Sequence, residues 1–183
     1  MTVPMLALGA PAPDFDLPGV DDRRYSLSSF EGKDVLVVIF SCNHCPYVKD
    51  YEGRMVTIQR DYAEKGVQLV AVNSNDDKAY PEDSFKEMVK RAKARGFNFP
   101  YLRDETQKVV GDYGGICTPH VFAFDNRRLL RYRGRIDDSR DPSKVTSNDL
   151  RNALDDMLAG RNVGSPDTKP FGCSIKWYSM KAE

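Results

Sequence analysis

The sequence predicts an α/β fold, a mixed central β-sheet flanked by helices, with an N-terminal β extension and a C-terminal tail. Three observations predict it. Apolar, β-favouring runs alternate with longer helical patterns through most of the chain. Two further strand patterns then follow one another across a turn signal. An amphipathic segment closes the order. The 183 residues suffice for one sizeable core. We expect a single domain over residues 1–160. Residues 161–183 form a tail that docks on it, because Phe171, Ile175 and Trp177 make an apolar cluster there.

The opening, Leu8 to Phe15, is too rich in proline for a helix or a central strand. Arg24 to Leu27 reads as a short strand, and Ser28 to Gly32 as a turn into the core. Val35 to Phe40 is a continuous apolar run, the pattern of a strand buried on both faces. Tyr47 to Glu64 reads as a helix that Lys65-Gly66 ends. Gln68 to Asn73 is a second buried strand. Asp83 to Arg95 reads as a charged helix with a solvated face, opened by Pro81-Glu82-Asp83-Ser84 and stopped by Gly96. Asp104 to Tyr113 reads as a shorter helix before Gly114-Gly115. His120 to Phe124 and Leu129 to Gly134 pair across Asp125-Asn126, a hairpin signal. Ser147 to Leu158 is the closing helix, which Gly160 ends.

Composition excludes several functions. Basic and acidic residues balance at 27 each, and no basic stripe marks a nucleic-acid partner. The longest apolar runs are far too short to span a bilayer, so no membrane partner is expected. Met1 to Ala10 carries no Lys or Arg, which makes a poor secretory signal. Four cysteines without an export signal suit a reducing cytoplasm, where thiols do chemistry. No suitable Gly-rich phosphate loop occurs, and no organic cofactor is expected.

Cys42-Asn43-His44-Cys45 carries the chemistry. Cys-x-x-Cys after a strand and before a helix is the context of a redox dithiol. The spacing places Cys42 at the helix start, where free N–H groups and the dipole favour a thiolate. It places Cys45 one turn on, close enough to close a small disulfide. Cys42 then attacks and Cys45 resolves. A metal reading stands beside this one. Cys117 and His120 have Cys-x-x-His spacing, and with Cys42 and Cys45 they would make a Cys₃His zinc set.

The element order, with Cys-x-x-Cys after the first core strand and Thr118-Pro119 before the hairpin, resembles the thioredoxin fold. Leu8-Gly9, Ala12-Pro13-Asp14-Phe15 and the segment Asn98 to Gly115 are similar to redoxins of the AhpC/TSA type. Ser41 to Val48, Arg133 to Ser139 and Gly172 to Trp177 add to the likeness, within a peroxiredoxin-like branch that resembles TlpA-type thioredoxins. The resemblance implies a thiol–disulfide oxidoreductase. Its partners would be protein or small-molecule disulfides and thiols, with a thiol reductant. It implies that Pro119 is cis and packed against Cys42, which would block a metal, so no metal is expected. The backbone of Thr118 would pair with a substrate strand. His44 stands where oxidising relatives carry histidine; a charged imidazole there favours the Cys42 thiolate and a more oxidising pair.

Two departures from thioredoxin matter. Ser41 replaces the usual tryptophan, and Leu36 stands near the place of its buried carboxylate. Glu52, Asp50 and Lys49 are the neighbouring candidates to move protons. The AhpC/TSA likeness also implies a second activity, thiol peroxidase, with Cys45-Pro46 as the peroxidatic pair. Cys42 then replaces the hydroxyl that binds peroxide, and Arg133 or Arg135 would supply a cation, although both read better as solvated strand residues. Cys117 reads as a small gap-filling residue and Cys173 as part of the docked tail; both are candidate auxiliary redox thiols.

Overall fold

The computed structural model describes residues 4–179. Residues 1–3 of the N-terminal stretch and 180–183 of the tail lie outside the described residues. The chain enters through an antiparallel hairpin of β1 (Asp16–Pro18) and β2 (Arg24–Ser26). A single 3-10 turn, Leu27–Phe30, leads to β3 (Val35–Phe40). Then follow α1 (Pro46–Tyr62), β4 (Val67–Asn73), α2 (Phe85–Arg95), β5 (Tyr101–Arg103) and α3 (Lys108–Tyr113). The second half holds β6 (Cys117–Thr118), β7 (His120–Phe124), β8 (Leu130–Gly134), α4 (Asp149–Leu158) and β9 (Cys173–Ser174).

The central sheet has five strands in the order β5-β4-β3-β7-β8. β3 runs parallel to β4 and antiparallel to β7. Its register pairs Phe40 with Val72 on one side and with His120 on the other. The carboxyl end of β3 therefore meets the start of β7, and these two strand ends carry the site.

Every residue of β3 is buried, so alternate side chains feed two separate cores. Val35, Val37 and Ile39 face α1, α2 and α4, meeting Tyr51, Met55, Met88, Leu150 and Leu154. The buried positions of α1 recur at Val48, Tyr51, Met55, Ile58 and Tyr62, the spacing of one helix face. Leu36, Val38 and Phe40 face α3, Phe15 and Leu17 of the N-terminal extension, and Ile175 of the tail. Among the described residues, no helix is long and apolar enough to cross a membrane.

Several elements depart from the sequence reading, β1, β6 and β9 among them as strands too short to show a period. β5 has no strand signal of its own, because three residues are too few to show a period; it forms by adding in parallel to β4. The helix expected from Asp104 starts only at Lys108. The Asp104 side chain instead accepts N–H bonds from Val109 and Val110, and a hydroxyl bond from Ser74. The helix expected from Asp83 starts at Phe85, because Ser84 takes the N-cap and accepts the Glu87 N–H at 3.3 Å. That leaves Asp83 in a 3-10 turn, free to point elsewhere.

Candidate active site

β3 ends at Phe40, and residues 41–45 turn the chain into α1. The Ser41 N–H donates to the Val72 carbonyl at 2.8 Å, which fixes the start of this turn to β4. Cys45 is the N-cap of α1 and Pro46 its first residue. The expected placement of Cys42 at the helix start is corrected here. A helix begun at Cys42 would drive the Pro46 ring into the Cys42 carbonyl, four residues back. Proline fits the first helical position, so the helix waits for it, and Cys45 takes the terminus.

Both sulfurs are buried, Cys42 at 2% exposure and Cys45 at 0%. The Thr118–Pro119 peptide is cis and lies across from them. Cys42 Sγ is 3.4 Å from the Thr118 hydroxyl, and the Cys45 thiol faces the Thr118 carbonyl at 3.5 Å. The two thiols differ sharply in charge. A hydrogen bond from Cys42 pulls Cys45 down to about 4, against burial, with help from Cys173 and the Val48 N–H. The same bond to Cys45, then burial, then the Asp83 charge, push Cys42 well above the ordinary thiol range. The two thiols are thus coupled, with Cys45 at the helix terminus the more acidic and Cys42 the less acidic.

A buried carboxylate anchors the motif from another element. Asp83 is 0% exposed. It accepts the Asn43 N–H at 2.6 Å, the Asn75 side-chain amide at 3.1 Å and that of Asn73 at 3.3 Å. It also bonds Nδ1 of His44. Asn43 is held in turn by the Glu82 carbonyl and by the Tyr101 hydroxyl, each at 2.8 Å. His44 stacks on Tyr80 with ring centroids 5.0 Å apart. So the two residues between the cysteines are fixed by the segment 73–83 and by β5. Sequence reasoning missed Asp83, Asn73, Asn75 and Tyr101. A signal existed: Asn73-Ser74-Asn75-Asp76 is a polar run at the carboxyl end of an apolar parallel strand, where sites form in such sheets.

Two of the proton-carrier candidates read from the sequence, Glu52 and Asp50, are engaged elsewhere. Glu52 is buried but binds Arg91 at 2.9 and 3.0 Å, with Arg95 at 3.5 Å. Arg91 is thus an ion-pair partner rather than part of a solvated face. Asp50 pairs with Arg140 at 2.6 Å. The expected peroxide-binding cations are also engaged with other groups. Arg133 binds the Leu6 carbonyl and Asp167, and Arg135 binds Asp149.

The Cys₃His set is not assembled. Among the described residues, the ligand-type atoms within 4.8 Å of one another are those of Cys42, His44 and Asp83. His120 is fully buried, and its Nδ1 accepts the Ile116 N–H at 3.2 Å. Burial holds that imidazole down at about 4. Burial likewise pushes Cys117 up to about 12. Cys173 is half-buried and packs against the Cys42, Cys45 and Val48 cluster from β9.

The profile of the AhpC/TSA family matches residues 8–133. The thiol-disulfide oxidoreductase ResA of Geobacillus thermodenitrificans is 30% identical over 128 residues, 69% of this chain and 68% of that protein. A crystal structure of an uncharacterized conserved protein from Geobacillus kaustophilus superposes with a TM-score of 0.91. It is 42% identical, and the match covers 96% of this chain and 95% of that one. The thioredoxin domain of a thiol-disulfide oxidoreductase from Bacteroides vulgatus superposes at 0.66, covering 84% of this chain and 99% of that one at 17% identity. That likeness shows the thioredoxin fold.

Proposed function

Within the AhpC/TSA family, to which this chain belongs, we propose that it works as a thiol–disulfide oxidoreductase in which Cys42 attacks and Cys45 resolves. One observation carries the assignment of roles: Cys42 lies beside the Thr118 hydroxyl at 3.4 Å and keeps 2% exposure, whereas Cys45 is wholly buried at the helix N-cap. As Cys42 approaches a substrate disulfide, its proton passes to the Cys45 anion, so no outside base is needed. The bond between the two substrate sulfurs breaks, and a Cys42–substrate mixed disulfide forms. The departing substrate thiolate takes the proton back from Cys45, whose thiol is acidic. Cys45 then attacks Cys42, the second substrate thiolate leaves and takes up a proton from solvent, and the Cys42–Cys45 disulfide remains. The Thr118 backbone, expected to pair with a substrate strand, is instead paired with β9 of this chain.

The His44–Asp83 pair sets the poise. The Asp83 charge raises Cys42, and His44 is bound to that same carboxylate, so the imidazole is placed to moderate its effect on the pair. Because Cys45 is held low, it is a good leaving thiol, and the disulfide is more easily reduced. The substrates are protein or small-molecule disulfides, with a thiol reductant closing the cycle. The free-thiol chemistry suits a cytoplasmic location.

Cys42→Ser and Cys45→Ser variants test the roles against a disulfide-bonded reporter protein. Cys42→Ser is expected to reduce nothing, and Cys45→Ser to accumulate a mixed disulfide through Cys42. Adducts through Cys45 in the Cys42→Ser variant, with full turnover in Cys45→Ser, would reverse the assignment.

A peroxidase reading has one observation in its favour, the acidic Cys45 before Pro46. The missing hydroxyl at position 42 and the engagement of Arg133 with Asp167 and of Arg135 with Asp149 weigh against it. Peroxide consumption with a thiol donor is expected to be slow beside disulfide exchange. A faster peroxide rate would make the peroxidase the main activity.

A further inference from the structure

The place where a substrate strand would lie is filled by the chain itself. β9 pairs antiparallel with β6, in the register Cys117 to Ser174 and Thr118 to Cys173. This is strand addition at the residue preceding the cis-proline, made by the protein's own tail. The approach is so close that a Cβ on Gly172 would come within 2.0 Å of the Thr118 carbonyl oxygen. Only glycine allows it. Downstream residues lock the tail in place. Ile175 is buried in the core below α3, and its N–H donates to the Ile116 carbonyl at 3.2 Å. Lys176 exchanges backbone bonds with the Asn75 side chain at 2.9 Å and the Asp76 N–H at 2.7 Å. The Tyr178 hydroxyl bonds both Arg103 and Asp77.

This seating brings Cys173 against Cys45. Cys42 and Cys45 are buried, whereas Cys173 keeps partial exposure. A reductant therefore meets the Cys173 sulfur before it meets either sulfur of the pair.

We propose that Cys173 is a third redox thiol, which takes the disulfide from the buried pair and presents it at the surface. The inference rests on the oxidoreductase reading above. In the step, the Cys173 sulfur attacks Cys45 of the oxidised pair. The Cys42–Cys45 bond breaks and a Cys45–Cys173 bond forms. The electron pair leaves with the Cys42 sulfur, which takes up the proton that Cys173 gives up. Nothing is oxidised or reduced overall. An external thiolate then attacks Cys173, forms a mixed disulfide with it, and releases Cys45 as the anion that the helix terminus favours; a second external thiol attacks the first, leaves with it as a disulfide, and its proton passes to Cys173.

The charges suit this order of events. In the reduced protein, burial and then the Cys45 anion push the Cys173 thiol up to about 11, so it stays protonated and quiet. Oxidation of the pair removes that anion. Lys176 and Arg140, which favour the Cys173 thiolate, are then opposed by burial alone.

The test is disulfide mapping by mass spectrometry after diamide oxidation and acid quench. The wild type is expected to give both Cys42–Cys45 and Cys45–Cys173 links. Cys42→Ser is expected to give Cys45–Cys173, and Cys173→Ser only Cys42–Cys45. A Cys42–Cys45 link in Cys173→Ser, with no Cys45–Cys173 link in either other protein, overturns this proposal and leaves the oxidoreductase reading standing. Failure of the Cys42–Cys45 link in Cys173→Ser overturns that reading itself. Gly172→Val, checked for folding by circular dichroism, gives a second line. It is expected to lower the Cys45–Cys173 yield at least tenfold while Cys42–Cys45 still forms. An undiminished Cys45–Cys173 yield in that variant would show that the seated tail is not what joins the two thiols.

Discussion

The chain carries two short motifs of the same spacing at one end of the sheet, Cys42 to Cys45 after β3 and Cys117 to His120 across β6 and the start of β7. Their chemistry is opposite. In the first, Cys45 is pulled down to about 4 at a helix terminus, and His44 is bound to a buried carboxylate. In the second, burial pushes Cys117 up to about 12 and holds His120 neutral at about 4. The residue types barely differ. What differs is the supply of partners. The first loop receives Asp83, the N–H of Val48 and a neighbouring thiol. The second receives one N–H on His120 and the carbonyl of Pro119, 3.8 Å from the Cys117 sulfur. A thiol becomes reactive where the fold offers its anion something to bind, and inert where the fold offers only apolar contact.

The strongest way to break this contrast is to remove one sulfur from each motif. Cys42→Ser should take disulfide reduction down to background, while Cys117→Ala should leave it close to wild type. Equal losses in a turnover assay would mean that both motifs take part. Next in size is the buried carboxylate. Asp83→Ala strips the partners from Asn43, Asn73, Asn75 and His44, and should cost about 3–5 kcal/mol in denaturant unfolding, the range for breaking a buried charged network. A loss below about 1 kcal/mol, the scale of a single ordinary hydrogen bond, would show that Asp83 is not the anchor.

The shared proton gives a pH signature. Cys45 is depressed and Cys42 raised, so from about 4 upward through neutral pH the reduced pair binds one proton. Reduction then takes up two electrons and one proton, and the potential should fall by about 30 mV per pH unit over pH 5–8. A slope of about 59 mV would mean that both thiols keep their protons. The same sharing bears on stability. Cys45 sits below its unfolded value of about 8.5, so its contribution is full above that value and is lost as pH falls toward 4. The reduced protein should therefore lose stability relative to the oxidised protein across that window, as measured by paired melts. The smallest effect is expected at His44. His44→Ala should lower the potential by about 30 mV, a tenfold change in the exchange equilibrium. An unchanged potential in a glutathione titration would leave the imidazole without a part in the poise.

The sequence by itself determined the central frame. The apolar runs Val35 to Phe40 and Gln68 to Asn73, the turn at Asp125-Asn126 and the amphipathic closing helix are local patterns, and they fold as their periods require. Cys-x-x-Cys between a strand and a helix was legible for the same reason. The tertiary structure alone decided where the charge sits. Asp83 reads locally as a helix-opening acid, yet it lies 39 positions from His44 in the chain and bonds it across the site. β5 is too short to announce itself and forms only by joining β4. Cys173 meets Cys45 only because Gly172 lets the tail lie on Thr118. Secondary structure follows from neighbours within a few residues, which a sequence displays. A thiol's acidity follows from whatever the fold brings within a few ångströms, and the sequence gives no ruler for that distance.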